Sequence, residues 1–233
     1  MTSPSVRRLI AVSGILGPVA LAVYFATPWL VNWPTGNVTG GQLATFASHH
    51  RDLFFVGAWF QGVGSLLSVL FFVGLVHLAG ATNRLAGLCT VAACAVLLSL
   101  SLVEGAFLMT VPLAVAAGHA ATAQATFDLS TITFVHVFPI VPVPAVLFSL
   151  GAVILGSKVL PRWVGVAAVV LGAAFEIVGF AALLIDAFVI PVIGLLVIEE
   201  LWIIAAALAL LRLSGDQPLT LRQANERMPA STT

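Results

Sequence analysis

Charged side chains are scarce in this sequence. Only 8% of its 233 residues are Asp, Glu, Lys or Arg, whereas 61% are hydrophobic. An ordinary soluble domain carries about 25% charged residues, and a chain with so few could not cover a surface that faces water. The scarcity therefore excludes a soluble globular domain and predicts a polytopic membrane protein in a lipid bilayer. The nine basic and nine acidic residues also cancel, which leaves no basic surface for nucleic acid.

Cysteine is nearly absent, and so are the short motifs that mark common enzyme sites. The two cysteines, Cys89 and Cys94, lie five residues apart in one apolar segment, and this spacing places them on different faces of a helix. Neither a disulfide nor a cysteine metal pair is therefore expected, and both are interpreted as packing groups. The sequence contains no G-x-S-x-G, phosphate-binding loop, G-x-G-x-x-G or C-x-x-C motif. It identifies no catalytic residue, no cofactor and no bound metal.

Long apolar runs, by contrast, are abundant. A helix needs roughly 20 apolar residues to cross a bilayer, and six runs meet that length. We predict an all-α bundle of six transmembrane helices over residues 1–213, followed by a disordered cytoplasmic tail at 214–233. The predicted spans cover residues 9–31, 53–80, 85–117, 129–156, 163–185 and 188–211.

The positive charges predict how these spans are oriented. With six spans, eight of the nine Lys and Arg residues fall on one side of the membrane, and only Arg51 falls on the other. Basic residues are enriched in cytoplasmic loops, so both termini are predicted to be cytoplasmic. The eight residues are Arg7, Arg8, Arg84, Lys158, Arg162, Arg212, Arg222 and Arg227.

Two outer loops are long enough to contain structure of their own. The first is predicted at residues 32–52, where Leu43, Phe46 and His50 share one helical face. This pattern predicts a short helix that lies in the membrane interface. The second outer loop is predicted at residues 118–128.

Ionisable residues occur inside four of the predicted spans, where a charged group costs about 2.5–3.5 kcal/mol on insertion scales. Counted from the outer ends at 1.5 Å per residue, their depths are roughly 10–20 Å. This shared depth predicts a polar cavity that opens to the outer side. Adjacent residues lie about 100° apart on a helix, so at most one of the two neighbouring glutamates is expected to point squarely into it. The cavity residues are predicted to be Glu104, His136, Glu176, Glu199 and Glu200.

Three interpretations of these residues are open. Protonated glutamates and a neutral histidine can form hydrogen bonds between helices, each worth about 0.6–2 kcal/mol. They can instead line a pathway for a proton or a small solute. Histidine with carboxylates can also bind a metal for intramembrane catalysis, although no close ligand spacing is present. Six spans in 233 residues leave no room for a catalytic domain outside the membrane. This favours a small binding or transport bundle, or an accessory subunit with a membrane-protein partner, over an enzyme.

Three prolines interrupt the fourth predicted span. Pro139, Pro142 and Pro144 each lack a backbone donor, so together they predict a helix break shortly after His136. Discontinuous helices commonly line binding sites at mid-depth. Proline is also common in membrane helices in general, so a static kink that serves packing explains the pattern as well.

The connection between the fourth and fifth spans carries a family resemblance. The segment at 156–165 reads Gly-Ser-Lys-Val-Leu-Pro-Arg-Trp-Val-Gly, and it resembles a bacterial family of six-span integral membrane proteins whose function is not known. The fourth span of that family often begins with a histidine, a position that His136 matches. The resemblance covers most of the chain in order and implies a multi-pass protein of the bacterial inner (plasma) membrane, with no activity attached. The matching residues are Ser157, Leu160, Pro161, Arg162 and Gly165.

Overall fold

The computed structural model describes residues 4–30 and 38–215, and most of these residues are helical. No strand occurs within these two ranges. The tail predicted at 214–233 lies outside the described residues, except for the last two residues of the final helix. Arg222 and Arg227 belong to that undescribed part.

From residue 40 onward, the elements follow one another with short connections. In addition to α-helices, the described ranges contain one π-helical segment and one short 3-10 turn. The α-helices are α1 (Pro4–Leu30), α2 (Gly40–His49), α3 (Arg51–Leu78), α4 (Leu85–Ala116), α5 (Ala120–Ile132), α6 (Pro142–Leu155), α7 (Arg162–Leu184) and α8 (Val189–Gly215); the π segment is Thr133–Val137 and the 3-10 turn Asp186–Phe188.

Six helical stretches of the described chain are long and apolar enough to cross a membrane, which confirms the prediction of an all-α six-span bundle. The second, third and fifth follow α3, α4 and α7, and their bounds are close to those predicted. The six stretches are Pro4–Thr27, Arg51–Leu78, Leu85–Ala116, Ala120–Leu155, Arg162–Leu184 and Asp186–Leu213.

The fourth stretch begins earlier than predicted. Residues 118–128 were expected to form an outer loop, but α5 already starts at Ala120, and a short turn at Gly118 (φ +77°) precedes it. The segment is polar enough to resemble a loop by composition, yet Ala123 and Phe127 are buried in a small apolar cluster with residues of α2, α3 and α4. Packing against these three helices therefore makes helical a stretch whose composition predicts a loop.

The predicted short helix in the first outer loop is present as α2. Its first turn is closed by a capping box, in which the Thr39 hydroxyl accepts from the Gln42 backbone N–H and the Gln42 side chain accepts from the Thr39 N–H. Its apolar face differs from the prediction, because Leu43 and Ala47 are fully buried against α4 and α5. The helix thus covers one end of the bundle instead of lying with that face in the lipid interface.

The fourth span is interrupted in its middle. After α5 the backbone widens into the π segment, then turns through residues 138–141 before α6 begins at Pro142. Pro142 lacks the N–H that the first residue of a helix would leave unbonded, so it suits this position. On the far side of the break, Gly179 of α7 lies so close that a Cβ there would be 3.2 Å from the Pro139 carbonyl oxygen. The absence of a side chain at Gly179 therefore lets α7 cover the break.

Glycines also bring α1 and α3 together. A Cβ at Gly17 would lie 2.5 Å from the Ser68 hydroxyl oxygen, and a Cβ at Gly64 would lie 3.0 Å from the Gly17 carbonyl oxygen. Such close backbone approach is typical of small residues in membrane helices. The contact holds the polar face of α3 beside α1, at the level where the two helices border the cavity described next.

Candidate functional site

A polar cavity lies in the interior of the bundle, between α1, α3, α4, the interrupted fourth span and α8. Its volume is about 60 Å³. A buried water needs about 10–15 Å³ by this measure, so the cavity has room for a few water molecules. Pockets for organic ligands are far larger, at about 300–1,000 Å³. The residues with polar side chains in its lining are Tyr24 of α1, Gln61, Ser65 and Ser68 of α3, Ser101 of α4, and Glu199 and Glu200 of α8.

The two acids of α8 both border this cavity. Glu199 is 5% exposed and Glu200 is half-buried. Both residues border the cavity, and the prediction that at most one of them points squarely into it stays a prediction. The cavity-lining residues of α8 are Leu196, Glu199, Glu200 and Ile203. Their spacing of three, four and seven residues defines one face of a helix, and the two glutamates lie on either side of the centre of that face.

The rotation of α8 that produces this arrangement is set by its neighbours. The Trp202 indole N–H donates a 3.1 Å hydrogen bond to the Val164 carbonyl of α7. The Trp202 ring also lies 6.5 Å from the Phe72 ring of α3, measured between centroids. On the other side of α8, Leu201 is 61% exposed. These contacts fix which face of α8 packs into the bundle, and that rotation places both glutamates at the cavity.

The α3 wall of the cavity was not predicted from the sequence. Gln61, Ser65 and Ser68 are buried and occupy positions i, i+4 and i+7, hence one face of the helix. Within the described chain, the Gln61 Oε1 and the Ser68 Oγ are buried without a hydrogen-bond partner. Ionisable groups alone do not reveal this wall; its sequence signal is the helical spacing of three neutral polar residues in an apolar span.

Glu104 lies next to the cavity but is bonded to other groups. It is fully buried, and its Oε1 accepts hydrogen bonds from the Tyr24 hydroxyl (3.2 Å) and the Ser130 hydroxyl (2.5 Å). Tyr24 itself lines the cavity, whereas Glu104 contacts Tyr24 and does not line the cavity. The carboxyl joins α1, α4 and α5 at one point. Its other oxygen, Oε2, is buried and has no hydrogen-bond partner among the described residues.

His136 and the break of the fourth span also lie at the edge of the cavity. Phe134, Phe138 and Val143 line it, whereas His136, between the first two, does not. The imidazole is half-buried in the π segment, and its Nδ1 is buried without a partner in the described part of the chain. The interrupted segment therefore supplies an aromatic wall, with the histidine beside it.

Glu176 lies away from the cavity, which corrects the expectation that it joins the other acids. Its side chain is exposed on α7, and it has no hydrogen bond within residues 4–30 and 38–215. The face of α7 that packs into the bundle contains Gly172, Phe175 and Gly179, and Glu176 follows Phe175 by about 100° around the helix. The structure thus groups Glu199 and Glu200, places Glu104 and His136 beside them, and separates Glu176.

Two other kinds of site, a metal centre and a surface groove, have less support from the structure. Among the described residues, no three His, Cys, Asp or Glu side chains are arranged to hold a metal ion. A wide surface groove of about 480 Å³ lies along α2 and includes His49 and His50. The His49 Nδ1 is already 2.8 Å from the Thr45 carbonyl oxygen, and the groove has no buried acid in its lining.

Comparison with known proteins adds no relative: no family model, curated protein or solved structure matches the chain. The functional assignment therefore depends on the geometry and chemistry of the cavity.

Proposed function

We propose that this chain is a small membrane-embedded binding or transport bundle that holds a small polar species in the cavity between α3, α8 and the fourth span. The observation that carries the proposal is the set of buried polar atoms without partners around that cavity: the Gln61 Oε1, the Ser68 Oγ and the Glu200 Oε2. A buried polar atom left unsatisfied costs about 1–3 kcal/mol. Water or a bound solute in the cavity would satisfy all three.

The contrast with Glu104 supports this choice over packing alone. Glu104 Oε1 receives hydrogen bonds from two different helices, as a group that joins helices requires, while its Oε2 has no partner among the described residues. The cavity oxygens of α3 and α8 have no such partners within the described chain. A bundle that used these residues only to join helices would be expected to pair them in the same way.

The interrupted fourth span supports the proposal as well. Pro139, Pro142 and Pro144 lie in or next to the turn that separates the π segment from α6. In many transporters, discontinuous helices of this kind border the substrate or ion site near the middle of the membrane. Here the residues on both sides of the break, Phe138 and Val143, line the cavity.

The cellular setting is part of the proposal. We place the protein in a bacterial inner membrane, on the resemblance around Leu160, Pro161 and Arg162. Both termini are assigned to the cytoplasm, because eight of nine basic residues fall on that side of six spans. An opening of the cavity toward the outer side is part of this proposal.

Flux across a lipid bilayer tests the proposed function. The full chain is reconstituted into liposomes that contain a pH-sensitive dye, and collapse of an imposed pH step is followed in choline, Na⁺, K⁺ and Li⁺ salts. We expect the wild type to collapse the step faster than protein-free liposomes in at least one salt. The double variant Glu199→Gln, Glu200→Gln should fall to the protein-free rate, because the protonatable groups of the cavity are gone.

Glu176→Gln is the matched control, since it removes the same charge from an exposed face. It should retain the wild-type rate. Wild-type liposomes that never exceed the protein-free rate in any of the four salts would overturn transport, and the proposed function would then stand only on binding in the same cavity. The same conclusion would follow if the double variant and the wild type had equal rates.

A further inference from the structure

We propose that Glu199 and Glu200, together with Gln61 and Ser68, form a binding site for an alkali-metal cation, and that this cation competes with protons for the site. The inference rests on the proposed function, because it names the species that the same cavity holds. It depends on three properties of the cavity, namely the kind of atoms that face it, their charge and the space between them.

Most of the lining is apolar or aromatic, and the side chains that could act as cation ligands there do so through oxygen. Carboxyl groups come from Glu199 and Glu200, an amide from Gln61, and hydroxyls from Ser65, Ser68 and Ser101. No Lys, Arg, His or Cys lines this cavity in the described part of the chain. Oxygen ligands suit hard cations, whereas transition metals favour imidazole or thiolate. The donor set therefore selects a hard cation and excludes an anion.

The charge of the site favours a monovalent ion. Two carboxylates that border one small cavity repel each other, and the low dielectric constant of the bundle interior strengthens the repulsion. A positive charge between them removes it, either as a proton or as a metal ion. One protonated carboxyl, one carboxylate and one monovalent cation sum to zero. A divalent cation would need both carboxylates charged and six to eight oxygen ligands for Ca²⁺.

The neutral oxygens on α3 provide independent support, because they lie on a different helix from the acids. Gln61 and Ser68 are each 3% exposed and both line the cavity. The Gln61 Oε1 and the Ser68 Oγ are buried without a hydrogen-bond partner in the described ranges. A cation between α3 and α8 would be coordinated by these lone pairs from one side and by a carboxylate from the other.

The size of the cavity matches an ion with little water. A volume of about 60 Å³ holds a few water molecules, or one alkali-metal ion with part of its hydration shell. It is too small for an amino acid, a sugar or a nucleotide, which need pockets of roughly 300 Å³ or more. The three serines could position the remaining water.

The other titratable groups near the site either form hydrogen bonds with each other or lie outside the cavity lining. On α1 and α4, the Tyr24 hydroxyl and Glu104 are bonded to each other, and Ser130 completes that contact. His136 of the π segment lies outside the lining, and Glu176 of the neighbouring α7 is exposed. The face of α3 contributes neutral groups only. The pH dependence of cation binding is therefore assigned to the α8 acids.

Binding of radioactive Na⁺ to the purified full chain in detergent tests the site, with K⁺ and Li⁺ as competitors and choline as the inert salt. We expect saturable binding of one alkali cation in mildly alkaline buffer. Because protons compete with the cation for the carboxylates, the affinity should fall by up to about tenfold for each unit by which the pH is lowered. The double variant Glu199→Gln, Glu200→Gln should abolish binding, because it leaves no carboxylate for the cation, and Gln61→Leu and Ser68→Ala should each weaken binding several-fold.

Two controls keep the result interpretable. Glu176→Gln should bind as the wild type does, and each variant must elute as a monodisperse, helical protein. Ser68→Ala removes one oxygen with little change in shape, so it reports on the site even if a glutamate variant fails to fold. Undiminished binding in folded Ser68→Ala and Gln61→Leu would overturn the assignment to this cavity.

The outcome separates the cation site from the proposed function. If the liposomes carry protons in a Glu199-dependent way but the protein binds no Na⁺, K⁺ or Li⁺, the cation site is overturned and the binding or transport bundle remains. If neither flux nor binding is observed, both are overturned. Saturable binding that survives in the double variant Glu199→Gln, Glu200→Gln would show a cation site elsewhere and would also overturn this one.

Discussion

A glutamate lies at a similar depth on α8 and on α7, but the two side chains have different surroundings. The one on α8 is buried and borders the cavity, and the one on α7 is exposed. Glu199 lies ten residues after the start of α8 and Glu176 eight residues before the end of α7, both about 12–15 Å from the outer helix ends. Glu199 is 5% exposed, whereas Glu176 is exposed. Depth in the membrane therefore does not decide whether a carboxyl belongs to a site; the rotation of its helix does.

The difference has a cause in packing. α8 lies against α1 and α7, and the Trp202 hydrogen bond to α7 fixes its rotation. α7 lies mainly against α6 and α8, and its glycines face α6 and the break of the fourth span. Gly172 and Gly179 permit that close approach because they have no side chain, and Glu176 lies at the edge of the same face, where its side chain is exposed. A third acid, Glu104, is buried but bonded, so burial alone does not mark a site either.

The largest expected effect comes from the bonded acid. Glu104→Ala would leave the Tyr24 and Ser130 hydroxyls without their acceptor and would open a cavity where a fully buried side chain stood. We expect the free energy of unfolding to fall by about 3 kcal/mol. Unfolding in mixed detergent and SDS micelles, followed by circular dichroism, measures this. Glu176→Ala is the control and should unfold as the wild type does; equal losses in both variants would contradict the distinction between a bonded and an exposed acid.

An intermediate effect of opposite sign is expected for the cavity acids. The double variant Glu199→Gln, Glu200→Gln removes two like-charged groups from one small cavity, so it should raise the free energy of unfolding by about 1 kcal/mol while abolishing flux. Gain of stability with loss of function is typical of residues kept for a site. The same unfolding measurement detects it. A loss of stability as large as that of Glu104→Ala would indicate that the α8 acids serve packing.

The smallest effect is expected at Glu176. Glu176→Leu should leave the free energy of unfolding of the isolated protein within about 0.5 kcal/mol of wild type and leave cation binding unchanged. The side chain is exposed and has no hydrogen bond in the described ranges, so little is lost with it. Unfolding and Na⁺ binding assays run in parallel measure this. If a membrane-protein partner dissociated from Glu176→Leu but not from the wild type, the accessory-subunit interpretation would gain support instead.

Several elements of the fold could be predicted because their signals are local. Six apolar runs of sufficient length predict six spans, since a helix must satisfy its own backbone in lipid. Three prolines within six residues predict an interruption, and the structure has a turn at residues 138–141. The α5 segment escaped prediction because it is helical through contacts of Ala123 and Phe127 with other elements. Hydropathy along the chain carries no information about such contacts.

The amino-acid sequence by itself determined that this protein lies in a lipid bilayer. It also determined the number of spans and which polar groups fall within them. These follow from composition and from the length of apolar runs, which are properties of the chain taken in order. Only the tertiary structure decided that Glu199, Glu200, Gln61 and Ser68 share a cavity, that Glu104 is bonded and that Glu176 faces outward. The physical reason is that a helix hydrophobic on all sides carries almost no preference for its own rotation. That rotation is set by glycine contacts and by single hydrogen bonds between helices, such as the one from Trp202 to Val164.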